Sequence, residues 1–114
     1  MLRVAVLVSA LFATSSIGLA AERPMRFWNL TPFTIAEFYL APAGTDNWGA
    51  NQCKNDRDGT VDANERLRIT DTPPGIYDAK LTDVSGHVCI VRNIKIEISE
   101  IFSIEEKELT SCNR

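Results

Sequence analysis

The sequence predicts an all-β fold: a small β-sandwich or partly closed barrel of about six to seven short strands, set behind an N-terminal signal peptide. Three observations carry this prediction. Period-two alternation of apolar and polar residues recurs from residue 25 onward. Proline-, glycine- and aspartate-rich turns separate the alternating runs. No long helical period appears outside the leader, and there is no internal repeat or low-complexity tract.

The leader comes first. Arg3 supplies a positive n-region, residues 4–13 form an uncharged apolar run, and Gly18-Leu19-Ala20 places small residues at both recognition positions of a signal-peptidase site. The run is too short to span a bilayer. Residues 1–20 therefore read as a signal peptide and residues 21–114 as one domain, exported to the periplasm or the exterior. No cysteine near the cut offers a lipid anchor, and no twin Arg precedes the apolar run, which favours the general secretory route. No stable membrane anchor remains after cleavage.

The strands follow. Residues 25–30 are apolar and aromatic and stop at Thr31-Pro32. Residues 35–41 alternate, with Ala36, Phe38 and Leu40 on one face and Glu37 and Tyr39 on the other. The long polar connection 42–65 comes next. Residues 66–70 turn Leu67 and Ile69 inward and Arg66 and Arg68 outward. Thr72-Pro73-Pro74-Gly75 is a rigid turn. Residues 76–82 set Tyr77, Ala79 and Leu81 against Asp78, Lys80 and Thr82. Asp83-Val84-Ser85-Gly86 reads as a hairpin turn with Gly86 at positive φ. Residues 87–98 form the longest strand pattern, with Val88, Ile90, Ile94, Ile96 and Ile98 on one face and Cys89, Val91, Asn93, Lys95 and Glu97 on the other. Residues 101–104 are a last apolar run, and 105–110 suit one helical turn.

Composition bounds the partners. The chain carries 12 basic and 15 acidic residues, and loss of Arg3 with the leader widens the acidic excess. The charges look dispersed along the sequence. That argues against nucleic acid, which needs a concentrated positive field, and against adhesion to anionic lipid.

Cys53, Cys89 and Cys112 all survive cleavage, so one pair and one leftover thiol are expected in an oxidising compartment. A Cys89–Cys112 bridge would tie the tail onto the sheet and leave Cys53 free in the acidic connection; Cys53–Cys89 and Cys53–Cys112 are the alternatives. A zinc site lacks a C-x-x-C pair and has only His87 to draw on.

Three groups carry candidate chemistry. Residues 54–65 follow the spacing of a twelve-residue calcium loop, with Asp56, Asp58, Asp62 and Glu65 at ligand positions and Gly59 at the bend. Lys54 occupies the place of the first carboxylate, and flanking helices are missing, so an unoccupied acidic surface loop is the competing reading. Trp48 is a loop residue that serves either as a binding anchor or as a plug for one end of the core; Trp28 reads as strand packing. His87 is the single histidine. It stands two residues from Cys89, without a third group to orient it. Asn29-Leu30-Thr31 matches the glycosylation triplet, followed by Pro32.

Taken together, Asn29-Leu30-Thr31, the strand 35–40, Ala41-Pro42-Ala43-Gly44, Trp48-Gly49, Gly75-Ile76-Tyr77-Asp78, Ser85-Gly86 and the late Cys112 resemble a family of small exported bacterial β-domain proteins without assigned activity, sometimes labelled twin-Arg signal domain proteins. The likeness covers essentially the whole mature chain. It implies a compact sandwich and export, and it transfers no catalytic residue. The chain departs from the family pattern in lacking the twin Arg and in carrying the acidic stretch 54–65. The expected function is a non-enzymatic binding or structural module of the bacterial envelope, whose partner is another envelope or secreted protein. A weak calcium-binding module and a small hydrolase using His87 or the acidic cluster are the alternatives.

Overall fold

The structure is a computed structural model that describes residues 23–113; the signal peptide expected at 1–20 lies outside the described residues. Seven strands follow in order: β1 (Arg26–Leu30), β2 (Ile35–Pro42), β3 (Arg66–Arg68), β4 (Gly75–Asp83), β5 (Val88–Ile96), β6 (Ile101–Glu105) and β7 (Cys112–Asn113). They form two sheets, one in the order β3-β1-β6 and one in the order β2-β4-β5-β7. The result is a sandwich, with no closed barrel among the described residues. All pairings are antiparallel except β1 with β6, which run parallel.

The core lies between the sheets. Phe27 of β1 stacks on Phe38 of β2 at 4.3 Å between ring centroids, and Phe102 of β6 tilts against both. Ile35, Leu67, Leu81, Ile96 and Ile104 complete it, each nearly free of solvent. Burying side chains of this size stabilises the fold by about 1.5–3 kcal/mol apiece.

Two bulges revise the alternation read from the sequence. In β2, Ala36 is the extra residue between the pairs Ile35↔Asp83 and Glu37↔Thr82. It turns Ile35 inward beside Phe38 and Leu40, where simple alternation put Ala36. In β5 the register passes from Tyr77↔Ile94 to Ala79↔Val91, so β5 carries the extra residue. Cys89 and Val91 face the core before the bulge, and Ile94 and Ile96 face it afterwards. The five isoleucines and valines expected on one face are therefore split, because an added residue inverts everything beyond it.

The β5 bulge is closed by Asp78. Its carboxylate is 1% exposed and accepts hydrogen bonds from the Asn93 amide at 3.0 Å, the Gly44 amide at 2.9 Å and Arg92 Nη1 at 2.9 Å. Asn93 sits at φ 60°, a left-handed conformation that asparagine tolerates better than most residues. Burial raises the Asp78 pKa, but the two amides and the guanidinium outweigh it and hold the carboxyl below the ordinary range.

The connection 42–65 is more ordered than its polar composition predicts. Gly49 N donates to Leu40 O, Asn51 Oδ1 accepts from Phe38 N, and Ile35 and Val61 exchange both backbone bonds. The loop thus covers the free edge of β2, the device that keeps an edge strand from pairing with another chain. A 3₁₀ turn at Gln52–Asn55, capped by Asn51, buries Gln52 and Cys53. Cys53 is fully buried, not part of a flexible acidic segment. Asn29 of the glycosylation triplet is fully buried as well. Its amide nitrogen donates to Phe33 O, Val61 O and Asp62 O, and its oxygen accepts from Thr31. The triplet here fastens the loop to β1.

Candidate functional site

The hairpin between β4 and β5 builds the first candidate. Gly86 takes φ +89° as expected and donates its amide to Asp83 O. Asp83 Oδ1 accepts the amides of Ser85 at 2.9 Å and His87 at 3.0 Å, while Oδ2 lies 3.0 Å from His87 Nδ1. This pairing points Nδ1 at the carboxylate and leaves Nε2 on the far side of the ring. Burial works to raise the Asp83 pKa, and the His87 amide, its imidazole and the Ser85 amide together lower it below the usual carboxylate value. The sequence reading missed Asp83 as an orienting group because it served there as a turn residue.

Asp83 and His87 line a cleft of about 520 Å³. Phe33, Ile35 and Leu81 are among its lining residues, and Glu106, Leu109 and Cys112 join them from the C-terminal segment. That segment is placed by a 3₁₀ turn at Glu106–Glu108, in which Glu108 Oε2 accepts the Glu105 amide, and by β7. Cys112 is bonded to Cys89 across the β5–β7 pair, 23 residues apart in sequence. Cys53 is the free cysteine. With Cys89 held in a disulfide, His87 has no thiol to activate, and Ser85 engages Asp83 through its backbone.

Trp48 lies on the outer face of the four-stranded sheet. Lys80 Nζ stands 4.8 Å from its ring centroid and 5.1 Å from that of Tyr39. Trp48 is half-buried there, on the outer sheet face and not at an end of the core. Trp28 likewise faces outward: its indole N–H donates to Asn64 and Arg66 lies over its ring at 4.3 Å.

The acidic loop spends its carboxylates locally. Asp58 Oδ1 accepts the amide and hydroxyl of Thr60, Asp62 Oδ1 accepts the Thr34 hydroxyl, and Glu65 Oε2 accepts the Asp62 amide. A hydrogen bond between Asp56 and Asp58 raises the pKa of the first and lowers that of the second. Gly59 makes the expected bend at φ +77°. Among the described residues, no three His, Cys, Asp or Glu side chains converge as a metal site would require. Comparison with protein-family models, curated proteins and solved structures returns no match.

Proposed function

We propose that the protein is an exported β-sandwich that binds another envelope component in the Phe33–Leu109 cleft, without catalysis. The observation that carries this reading is the cleft itself. Its volume falls within the roughly 300–1,000 Å³ of ligand sites, and apolar walls with a few oriented polar groups are their usual lining. The Asp83–His87 pair gives the occupant an oriented imidazole to hydrogen-bond. Export rests on the leader and agrees with the Cys89–Cys112 bond.

The test is affinity capture from the native envelope with the mature protein as bait. A specific partner should be retained by Trp48→Ala and lost by Leu109→Asp, with both variants melting as cooperative folds. Loss with Trp48→Ala alone would move the binding surface to the outer sheet face and overturn the assignment of the cleft.

A second reading has its own observation. An oriented imidazole inside a concave site is half of a hydrolytic constellation, with water as the nucleophile. Ester or amide turnover by the exported protein that disappears in both His87→Ala and Asp83→Asn would establish it in place of simple binding.

A further inference from the structure

The β1–β3 register assembles a basic surface from residues far apart in sequence. Arg26 stands directly opposite Arg68, and Trp28 opposite Arg66, with all four on the outer face of the three-stranded sheet. On the other side of Arg26, in the same row, lies Ile101 of β6. Beyond the end of this sheet, Arg23, Met25, Arg68 and Ile98 line a groove of about 390 Å³. Ile98 and Ile101 are 60% and 43% exposed.

We propose that this face docks on an anionic phospholipid bilayer. Four arguments support it. First, the charge has no ionic partner, although Arg66 also lies over the Trp28 ring. Among the described residues, none of Arg23, Arg26, Arg66 and Arg68 forms a salt bridge, whereas Arg92, Lys95 and Lys107 each do. Like charges directly opposite each other on neighbouring strands are destabilising, and a layer of phosphates relieves that repulsion. Second, guanidinium forks match phosphate oxygens bidentately. Third, the exposed aliphatic pair lies at the edge of the basic face. A soluble polyanion offers Ile98 and Ile101 nothing, while a bilayer accepts apolar side chains beneath its headgroups. Fourth, Arg23 and Met25 lie only a few residues after the apolar leader in the sequence. On the export reading proposed above, this end of the domain is the one held at the membrane before cleavage.

Carboxylates border the face: Glu97, paired with Lys95, shares a hydrogen bond with Glu100 in the β5–β6 turn. Asp71 lines the groove with Arg68, Glu65 is turned onto the Asp62 amide, Glu105 is paired with Lys107, and Glu100 sits in the β5–β6 turn beside Ile101. The surface lies apart from the cleft, and the proposal does not depend on what the cleft binds.

The experiment is vesicle co-sedimentation of the exported protein. Vesicles of equimolar phosphatidylglycerol and phosphatidylcholine should retain it, and vesicles of phosphatidylcholine alone should not. Each Arg→Gln change at positions 66 and 68 should lower partitioning about five-fold, matching the roughly 1 kcal/mol that a basic residue contributes near an anionic surface. Arg66→Lys with Arg68→Lys should retain more binding than the Arg→Gln pair but less than the natural protein, because lysine keeps the charge and loses the bidentate fork. Ile98→Ser with Ile101→Ser should weaken it while its salt dependence remains. Circular dichroism on every variant confirms the fold. Absence of binding to the anionic vesicles overturns the proposal, as does binding indifferent to both Arg→Gln changes. Arginine-dependent retention by a DNA oligonucleotide or a polyuronate, with vesicles ignored, overturns it in favour of another polyanion.

Discussion

Replacing Asp78 by asparagine isolates the group that fixes the β5 bulge. Asparagine keeps the volume, so the change removes charge and acceptor capacity with little loss of packing. The carboxylate now accepts from two backbone amides and one guanidinium. The asparagine oxygen can serve one amide, and its NH₂ group then faces donors with nothing to accept. Orphaning one buried amide costs about 1–3 kcal/mol, and a hydrogen bond to a charged group contributes about 1.5–3 kcal/mol. A total loss of about 3 kcal/mol is expected, a fall in melting temperature of roughly 12–24 °C for a domain of this size. The pH profile adds a second reading of the same group. The folded pKa of Asp78 is lowered, so its contribution is complete above the unfolded carboxylate value of about 3.9 and fades as pH falls through the folded value. The gap between natural protein and Asp78→Asn should therefore be constant near neutrality and close below about pH 4. Asp83, lowered in the same direction, leaves the variant some acid sensitivity of its own. Urea unfolding followed by circular dichroism from pH 7 to pH 3 measures both quantities. A loss below about 1 kcal/mol at pH 7, or a gap that widens on acidification, would refute the role given to Asp78.

Asn93→Gly should be tolerated and Asn93→Val should cost about 1–2 kcal/mol, since a β-branched side chain is strained at positive φ; thermal melts compare the two. Reduction, or Cys112→Ser, should cost about 3.4 kcal/mol for a loop of 23 residues in the chain-entropy model, measured by urea unfolding with and without a dithiol. Millimolar calcium should leave the melting temperature of the natural sequence unchanged and raise it only in Lys54→Asp; a rise in the natural protein that Asp58→Asn abolishes would show a functional calcium loop. Intact mass of the exported protein should place its first residue near Ala21, and full-length chain retained in the cytoplasm would contradict export.

Most of the architecture was legible where one rule acts locally. Alternation marked Leu67 and Ile69, and Ala79 and Leu81, as inward residues, and turn chemistry located Gly86. The position of Cys89 and Cys112 in the C-terminal half favoured their pairing, with the two Cys53 pairings left open, and the structure joins Cys89 to Cys112. What escaped depends on contacts between distant segments. The β5 face inverts at a bulge whose amide and guanidinium are held by Asp78, 15 residues before Asn93. Arg26 and Arg68 meet only because β1 pairs with β3, and their charges look dispersed until that register is formed. The Asp83–His87 pair spans four positions and was within reach of the sequence. It was obscured because an aspartate that opens a turn is ordinarily engaged by backbone amides alone, and Asp83 engages both the amides and the imidazole.

Burial of Cys53 bears on how the protein keeps its connectivity. Desolvation, with smaller contributions from Asp56 and Glu37, pushes its thiol up to about 12. At neutral pH only roughly one molecule in 10⁵ would carry the thiolate that attacks a disulfide. Burial and the raised pKa both disfavour reshuffling from within the folded chain, even though three cysteines admit three pairings. That protection begins only once the Asn51-capped turn has closed over the sulfur. A chain that meets an oxidant must bury Cys53 first, and mutations that loosen the Gln52–Asn55 turn should show themselves as misbridged, trapped protein before they show themselves as lost stability.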